Sequence, residues 1–376
     1  MNKSVLAITV SEITNDNRVI NYTNALALHG FKTLLVSPAT SKAQRTDYHF
    51  TPVFINLLSQ KLPSISIFNY LKLVEFILKV LFKSKRWSPE IIHANDLKGL
   101  IIAALIKRRI HPEVEIVYDA HEYETETNGL KGIQKKVYQY LEKRYIQDVY
   151  KMITVSDTIA NEYVRLYGVE KPVVLLNVPQ FSFDENRKYD LFRERLNLRS
   201  EQRIFLYQGY LMPGRGIEIL LESFNQLQDD NDVIIFMGKG SLTELIKSYQ
   251  HTGKIYYHEF VDPKEYLNFT ASADVGISFI EDISLSDRYC LPNKLFEYMF
   301  CGLPIICSNL PEMRKLVEEH SIGIVAKENS IVGFREAIEA LNSMGLAYFK
   351  QNIPHASSIY SWSNQEKELI KLYDQL

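Results

Sequence analysis

The most distinctive chemistry in this sequence lies in a short segment around Lys294. Asn293 and Lys294 follow Pro292, which fits the first turn of a helix, and Gly302 suits the left-handed residue that ends one. Free backbone N–H groups in that turn favour an anion, and Glu297 lies one turn on, on about the same face. A cation beside phosphate and a carboxylate that accepts from ribose hydroxyls are what a nucleoside diphosphate needs. A solvated, capped helix start is the alternative that the spacing leaves open.

A glycine-rich loop is the second candidate ligand site. The segment that begins at Leu206 has the pattern of a strand, then a glycine-rich loop, then a helix starting near Arg215. Glycine lets the backbone approach a ligand, and the Arg215 guanidinium offers a fork of donors to phosphate. Such loops also occur for structural reasons alone, so the loop by itself decides nothing.

His121 follows a predicted strand, in the segment Val117-Tyr-Asp-Ala-His-Glu-Tyr-Glu. The carboxyl end of a strand is where a doubly wound domain exposes its reactive side chains. The acidic neighbours Asp119, Glu122 and Glu124 could hold the charge and orientation of the ring. A surface histidine in an acidic loop is the alternative interpretation.

The elements that position these residues alternate along the chain. Short apolar, β-branched runs alternate with longer segments of helical period, which is typical of βαβ units around a parallel sheet. In the first half the predicted strands are Val5–Val10, Thr33–Ser37, Val53–Leu57, Ile91–His93, Glu115–Tyr118, Met152–Val155 and Val173–Leu176. The predicted helices between them are Arg18–His29, Leu62–Lys83, Leu97–Arg109, Ile133–Tyr150 and Thr158–Tyr167.

The alternation stops at Pro179 and a polar stretch at 184–203, interpreted as a linker, and then begins again. The strands predicted after it are Ile204–Tyr207, Val233–Met237, Ile255–Tyr257, Val275–Phe279, Pro304–Cys307 and Gly323–Val325. We therefore predict an α/β protein of two doubly wound, Rossmann-like domains that face a ligand-binding cleft. The predicted domains are 1–180 and 181–355, and a C-terminal helix at 356–376 packs back across the junction.

Charge separates the two halves. The 376 residues carry a net charge of −2, which argues against a nucleic-acid-binding protein. Residues 1–180 have 23 Lys and Arg against 17 Asp and Glu, a net +6, and the remainder is acidic. A basic half often meets an anionic surface. The cysteines, Cys290, Cys301 and Cys307, do not have zinc-site spacing and are expected to be reduced thiols.

The chain resembles the GT-B glycosyltransferases of the large retaining family 4. Leu291-Pro-Asn-Lys-Leu-Phe-Glu-Tyr-Met matches a helix motif of that family. The family has two glutamates separated by seven residues. Glu297 matches the second, a ribose ligand, whereas the first, a donor-sugar ligand, falls on Tyr289. The resemblance thus implies donor-binding positions at Tyr289, Asn293, Lys294 and Glu297.

The glycine-rich loop and His121 also match family motifs. The family loop carries Gly-Arg and then Lys-Gly, cations that contact the diphosphate; here Gly209-Tyr210 replaces the first pair and Arg215-Gly216 keeps the charge of the second. Gly238 matches the loop that approaches the base. The family histidine faces the donor sugar. The residues that the resemblance implies for catalysis are His121, Arg215 and Lys294.

The acceptor side of the cleft is implied by a third set of matches. Asp16-Asn-Arg-Val19 resembles the family's Asp-x-Arg-Val opening of the first helix, so Asp16, Arg18 and Glu122 could line the cleft. An N-cap and its ordinary ion pair explain Asp16 and Arg18 equally well. In His93-Ala-Asn-Asp96, Asn95 stands in place of a family histidine, and we predict no catalytic role there.

The resemblance implies a retaining enzyme that transfers a hexosyl or N-acetylhexosaminyl group from a nucleotide sugar, a UDP-sugar first among them. The acceptor would be a glycan or a lipid-linked glycan in the synthesis of surface polysaccharide or glycoconjugate. Because no Asp-x-Asp metal motif appears where a metal-dependent transferase would carry one, we expect no metal and no cofactor besides the nucleotide-sugar co-substrate. Two alternatives stay open: a nucleotide-sugar epimerase, and a non-catalytic partner subunit, which Tyr289 and Tyr210 favour.

One predicted helix bears on location. Residues 66–82 are nearly all apolar, with a narrow polar stripe of Lys72, Glu75 and Lys79, and the basic segment Lys83-Ser-Lys-Arg-Trp87 follows. Such a helix can lie in a membrane interface, with the basic, tyrosine-rich 131–151 extending the surface, but burial against a sheet explains it as well. No apolar run spans a membrane and no leader cleavage site occurs. We expect a cytoplasmic protein, with peripheral contact at the inner face of the plasma membrane as the open question.

Overall fold

The computed structural model describes residues 3–13, 16–39, 48–63, 65–180, 189–262 and 265–376. The chain separates into two compact units. The first comprises Met1–Asn177 and Gln365–Leu376, and the second comprises Val178–Asn364. Each unit is built around one parallel sheet flanked by helices.

The sheet of the first unit has seven strands. They are β1 (Ser4–Ile8), β2 (Lys32–Pro38), β3 (Thr51–Ile55), β4 (Ile91–Asn95), β5 (Glu115–Asp119), β6 (Lys151–Thr154) and β7 (Val173–Val174). Their order is β3-β2-β1-β4-β5-β6-β7, and every pair is parallel. The order reverses between β1 and β4, the place where doubly wound sheets bind ligands. The register sets Asn95 opposite Asp119 at the carboxyl edge.

Five helices connect these strands. They are α1 (Asn17–Leu28), α2 (Ser66–Ser84), α3 (Asp96–Arg109), α4 (Gly132–Tyr145) and α5 (Asp157–Tyr167). Local capping explains where some of them begin and end. Asp16 accepts from the Val19 N–H at 3.2 Å, Ser156 accepts from the Ile159 N–H at 3.3 Å, and α5 ends at Gly168 with φ +64°.

The sheet of the second unit has six strands. They are β8 (Arg203–Tyr210), β9 (Asp232–Lys239), β10 (Ile255–His258), β11 (Val275–Ser278), β12 (Ile305–Cys307) and β13 (Gly323–Val325). Their order is β10-β9-β8-β11-β12-β13, all parallel, with the reversal between β8 and β11. The helices are α6 (Leu191–Leu196), α7 (Ile217–Asn225), α8 (Thr243–Ser248), α9 (Tyr266–Thr270), α10 (Leu285–Arg288), α11 (Asn293–Phe300), α12 (Pro311–Glu319), α13 (Ile331–Met344), α14 (Leu346–Lys350) and α15 (Ile353–Ile359).

The last helix, α16 (Trp362–Asp374), belongs from Gln365 onward to the first unit. Its Tyr373 is fully buried there and packs against Phe31 and His93, with ring centroids 5.6 and 6.1 Å away. The Lys3 ammonium donates to the backbone carbonyl of Leu376. The end of the chain thus contributes side chains to the core of the first unit.

The two predicted doubly wound sheets are confirmed. Pro292 is the N-cap of α11, and Gly302 follows that helix with φ +72°, as the sequence indicates. The interpretation of 184–203 as a plain linker is wrong in its second half, because α6 lies there and buries Phe192 against Phe269 at 5.5 Å. Residues 184–188 lie outside the described residues. No helix in the described part of the chain is long and apolar enough to cross a membrane.

Candidate functional site

The predicted donor residues of the second unit converge on the carboxyl end of β8, next to the reversal of strand order. Gly209 is the last residue but one of this strand and has φ +127°, a conformation that favours glycine. A Cβ atom on Gly238, at the end of the neighbouring β9, would lie 1.9 Å from the Gly209 carbonyl oxygen. Gly238 is therefore required for the close approach of the two strand ends, and Gly209 is favoured by its own backbone conformation.

Lys294 reaches this turn from the first turn of α11. Its Nζ lies 3.8 Å from the centre of the Tyr207 ring, and it would lie 3.7 Å from a Cβ built on Gly209. Burial and the nearby Arg215 guanidinium lower the pKa of Lys294 to about 7. No carboxylate of the described residues lies within ion-pair distance of Lys294. An anion at this turn would restore the charge that burial disfavours.

Arg215 adds a second cation to the same turn. It precedes Gly216, which caps the N-terminus of α7 in a left-handed conformation with φ +69°. Its side chain is 36% exposed and its Nη1 lies 3.4 Å from Asp287 Oδ1, a long contact that leaves most of its donors available to a ligand. The Gly216 N–H donates to Glu281 Oε1 at 3.2 Å, so the two cations are the groups that this region offers to an anion.

Glu297 lies on the next turn of α11 and is held by two donors. Gln208 donates to one carboxylate oxygen, and the Tyr266 hydroxyl donates to the other at 2.9 Å. Gln208 is itself fixed by the Thr270 hydroxyl at 2.7 Å. Burial raises the pKa of Glu297 above its ordinary value. Each oxygen retains a lone pair, so this oriented carboxylate can still accept from a ligand hydroxyl.

The remaining donor-side positions lie at the ends of helices and of strand β8. Asn293 is exposed at the first position of α11, and Tyr289 is half-buried at the end of α10. Tyr210 is 69% exposed at the end of β8. Both tyrosines are thus accessible at least in part.

The predicted histidine of the first unit lies between two carboxylates. His121 Nδ1 is 3.2 Å from Asp96 Oδ1, and its Nε2 is 3.4 Å from Asp119 Oδ2 and 3.2 Å from Asn95 Oδ1. Burial lowers the pKa of His121, but Asp96 and Asp119 outweigh that effect and raise it to about 9. The side chain is 19% exposed. The site therefore holds a charged imidazolium in a fixed orientation at neutral pH.

Arg18 stabilises the His121 site through Asp119. Its guanidinium is 3% exposed and makes a two-pronged contact with Asp119, at 3.0 and 2.7 Å, while Nη1 donates to the Leu175 carbonyl at 2.9 Å. Burial would raise the pKa of Asp119, but Arg18 and His121 hold it well below its usual range. Arg18, which was predicted to line the acceptor cleft, is thus buried within the first unit, where Asp119 and the Leu175 carbonyl bind its guanidinium. Asp16 caps α1, and Glu122 is exposed.

Sequence reasoning missed several members of the His121 cluster. Asp96 opens α3 with φ +58°, a strained conformation for aspartate, and Asn95 also contacts the ring. Behind them a hydrogen bond of 2.6 Å joins the Tyr373 hydroxyl to His93 Nδ1, and His93 Nε2 lies 3.6 Å from Asp119. The segment from His93 to Asp96 ends a strand beside β5, which was the available signal. Tyr373 carried none, since it is 280 residues from His93.

The structure therefore forms two separate groups of predicted residues. One contains His121, Asp16 and Arg18 in the first unit, and the other contains Arg215, Lys294, Glu297 and their glycines in the second. Across the residues that the structure describes, no three His, Cys, Asp or Glu side chains are grouped to hold a metal ion.

Comparison with known proteins identifies the family. A family model described as Glycosyltransferase Family 4 matches residues 16–177, and one described as Glycosyl transferases group 1 matches 202–343. TuaC of Bacillus subtilis (strain 168), a glycosyltransferase named for teichuronic acid biosynthesis, is 23% identical over 273 residues, 71% of this chain and 64% of that protein. Chitobiosyldiphosphodolichol beta-mannosyltransferase of Debaryomyces hansenii is 24% identical over 357 residues, 90% of this chain and 68% of that protein.

A solved structure shares the fold over the whole chain. Anabaena Alr3699/HepE in complex with UDP-glucose matches with a TM-score of 0.74 at 15% identity, covering 99% of this chain and 100% of that one. This likeness confirms the predicted GT-B fold. With two family models matching most of its length, the chain belongs to the group 1, family 4 glycosyltransferases.

Proposed function

We propose that this protein transfers a glycosyl group from a nucleoside diphosphate sugar bound at the second unit. One observation carries the proposal: the Lys294 ammonium lies beside Gly209, near enough to Arg215 for that cation to lower its pKa, and Glu297 lies one helical turn away. Cations beside a glycine turn suit a diphosphate, and an oriented carboxylate suits the ribose hydroxyls. The spacing of the three groups along one nucleotide supports this assignment over an isolated anion site.

The same groups would drive departure of the nucleoside diphosphate. When the glycosidic bond to phosphate breaks, negative charge grows on the leaving oxygen, and fixed cations and helix N–H groups stabilise it. A diphosphate would raise the pKa of Lys294 from about 7 and so keep its ammonium charged. No metal is required by this scheme, and we expect none.

We further propose that transfer retains the anomeric configuration and that His121 faces the donor sugar. The family motif around His121 supports both points. Because Asp96 and Asp119 hold the ring charged and in one orientation, His121 would present a fixed positive group to sugar oxygens. Asp16 and Glu122 would then contact the acceptor, and Arg18 would act through Asp119.

The donor class is supported by the fold relatives. The Anabaena protein was solved with UDP-glucose, which favours a UDP-sugar here. The names of the two curated relatives specify teichuronic acid biosynthesis and mannosyl transfer to a dolichol-linked substrate. We therefore propose a hexosyl or N-acetylhexosaminyl donor and a glycan or lipid-linked acceptor, used in surface polysaccharide synthesis at the cytoplasmic face of a membrane.

A panel of UDP-, GDP-, ADP- and dTDP-sugars tests this function, with binding and slow donor hydrolysis followed by NMR. The proposal predicts saturable binding of one nucleotide class and release of a sugar with the donor's own anomeric configuration. Lys294→Met should strongly reduce both signals, whereas substitution of an exposed lysine of the same unit, Lys350→Met, should change neither.

Three other results would contradict the proposal. An epimerised sugar or free glycal formed without acceptor would identify an epimerase. An inverted sugar product would overturn retention. Failure to bind any of the four nucleotides would favour a non-catalytic partner subunit, the function that Tyr289 and Tyr210 at two family ligand positions would suit.

A further inference from the structure

The outward face of α2 is apolar, although this helix carries a polar stripe. The stripe is bound to the preceding segment: Glu75 accepts from the N–H groups of Leu58 and Ser59 at 2.8 and 2.9 Å, and Lys79 donates to the Asn56 carbonyl at 2.7 Å. The side chains left facing solvent are Tyr70, Leu71, Val74, Leu78 and Phe82, each 47–66% exposed. If this helix were covered only by water, these exposed apolar side chains would be expected to face the interior of the protein instead.

The neighbouring helix α4 presents a similar face. Like α2, it packs against α3. Ile133, Val137 and Tyr140 are 82%, 46% and 67% exposed on successive turns of α4. These side chains give the first unit a second exposed apolar row.

The orientation of α4 is fixed from inside the unit. Its Glu142 is fully buried and accepts from the hydroxyls of Tyr118, Tyr163 and Tyr167 at 2.9, 2.8 and 2.7 Å. Since this carboxylate cannot leave its three donors without loss, the opposite face of α4 stays outward. The hydrogen bonds of Glu142 therefore keep the apolar side chains of α4 exposed at the surface.

Basic residues frame this surface. Exposed cations follow α2 at Lys83, Lys85 and Arg86, and others lie along α4 at Lys131, Lys136 and Lys143. The segments 58–87 and 131–145 together contain only two acidic residues, Glu75 and Glu142. Both are held by the internal hydrogen bonds described above. Glu126, outside these segments, pairs with Lys135 at 2.6 Å, so the surface combines exposed apolar side chains with an excess of positive charge.

We propose that this surface, here called the α2–α4 face, docks on an anionic lipid membrane. Its apolar side chains would enter the interface between headgroups and acyl chains, and its lysines would meet anionic headgroups. Charge complementarity favours lipid over a second copy of the chain, because two α2–α4 faces would bring like charges together. The inference rests on the proposed function only in placing the enzyme beside a lipid-linked acceptor; docking itself needs no catalysis.

Vesicle flotation of the full chain tests the proposal. Vesicles of phosphatidylcholine with phosphatidylglycerol should bind the protein at low salt, and raising salt or omitting phosphatidylglycerol should release it. Leu78→Ser should weaken binding about tenfold or more by removing apolar contact. Val332→Ser is the matched control, since Leu78 and Val332 are both 62% exposed but Val332 lies in the second unit. Lys136→Gln should cost about fivefold, and Lys350→Gln nothing.

The outcomes separate the proposal from its rivals. No flotation of the wild-type chain, or equal loss in the Leu78 and Val332 variants, would overturn it. So would a dimer in light scattering that Leu78→Ser converts to a monomer, because the surface would then be a subunit contact. Titrations of the same preparation with UDP, GDP, ADP and dTDP keep the two proposals apart: flotation without binding of any of these nucleotides leaves this inference standing and removes the proposed function.

Discussion

The two candidate sites differ in how their charges are balanced. In the first unit, His121 and Arg18 face Asp96 and Asp119, so positive and negative groups neutralise one another inside the protein. In the second unit, burial and the Arg215 charge lower the pKa of Lys294 by more than the Glu297 carboxylate raises it, and Arg215 makes only a long contact of 3.4 Å with Asp287. The first site is complete without a ligand. In the second site, a bound anion would stabilise the charge of Lys294, which burial and Arg215 disfavour. This difference is expected between a site that binds a diphosphate and a site whose charges hold one side chain in place.

The sharpest way to break this comparison is to remove Arg18. Arg18→Met leaves Asp119 as an unpaired charge in a fully buried position, and we expect a loss of about 3–5 kcal/mol in the free energy of unfolding. Urea denaturation measures it. Arg18→Lys keeps the charge but loses the two-pronged contact, so its loss should be smaller. Equal stability of wild type and Arg18→Met would contradict the pairing.

Removing Lys294 should have the opposite profile. Lys294→Met should lower kcat/KM by an amount that corresponds to a loss of roughly 2–4 kcal/mol in transition-state stabilisation. The free energy of unfolding should stay unchanged or rise, because the variant no longer buries a cation. Steady-state kinetics and urea denaturation of the same sample distinguish the two effects. Lys294→Arg should restore most activity. A destabilised Lys294→Met variant with normal kcat/KM would reverse our assignment of the two sites.

The His121 charge sharpens the comparison through pH. The folded pKa of about 9 lies above the unfolded value of about 6.5, so the stabilising effect is complete below pH 6.5 and is lost as pH rises through 9. The difference in free energy of unfolding between wild type and His121→Gln should therefore shrink between pH 6.5 and 9.5. Urea titrations across this range measure it, with exposed His355→Gln as the control. A difference that stays constant with pH would argue against a charged ring.

The smallest expected effect concerns Tyr373. Its hydroxyl bonds to His93 at 2.6 Å, behind Asp119, so Tyr373→Phe should cost about 1 kcal/mol of stability. It should leave nucleotide affinity at the second unit unchanged. Urea denaturation compares this variant with Tyr150→Phe, whose side chain is 50% exposed and whose removal of a hydroxyl should cost nothing measurable. Equal stability of the two variants would show that the His93 contact contributes nothing.

Local signals made the elements and part of the second site predictable. Pro292, Gly302 and the 293–297 spacing belong to one helix, so their relation is fixed by helix geometry. Contacts across long separations were not predictable. Glu297 pairs with Gln208, and Arg18 with Asp119, because strand order brings their elements together. Periodicity likewise defined the polar stripe of α2 but not which sector of that helix faces solvent.

Proton uptake on UDP binding tests the central claim most directly. Because Lys294 has a pKa of about 7 when free and a higher one beside a diphosphate, binding at pH 8 should take up close to one proton. Calorimetric titrations in two buffers of different ionisation enthalpy give this number. We predict uptake by the wild type and none by Lys294→Arg, which stays charged throughout. Tight UDP binding without proton uptake, or identical uptake in both proteins, would contradict contact between Lys294 and the diphosphate.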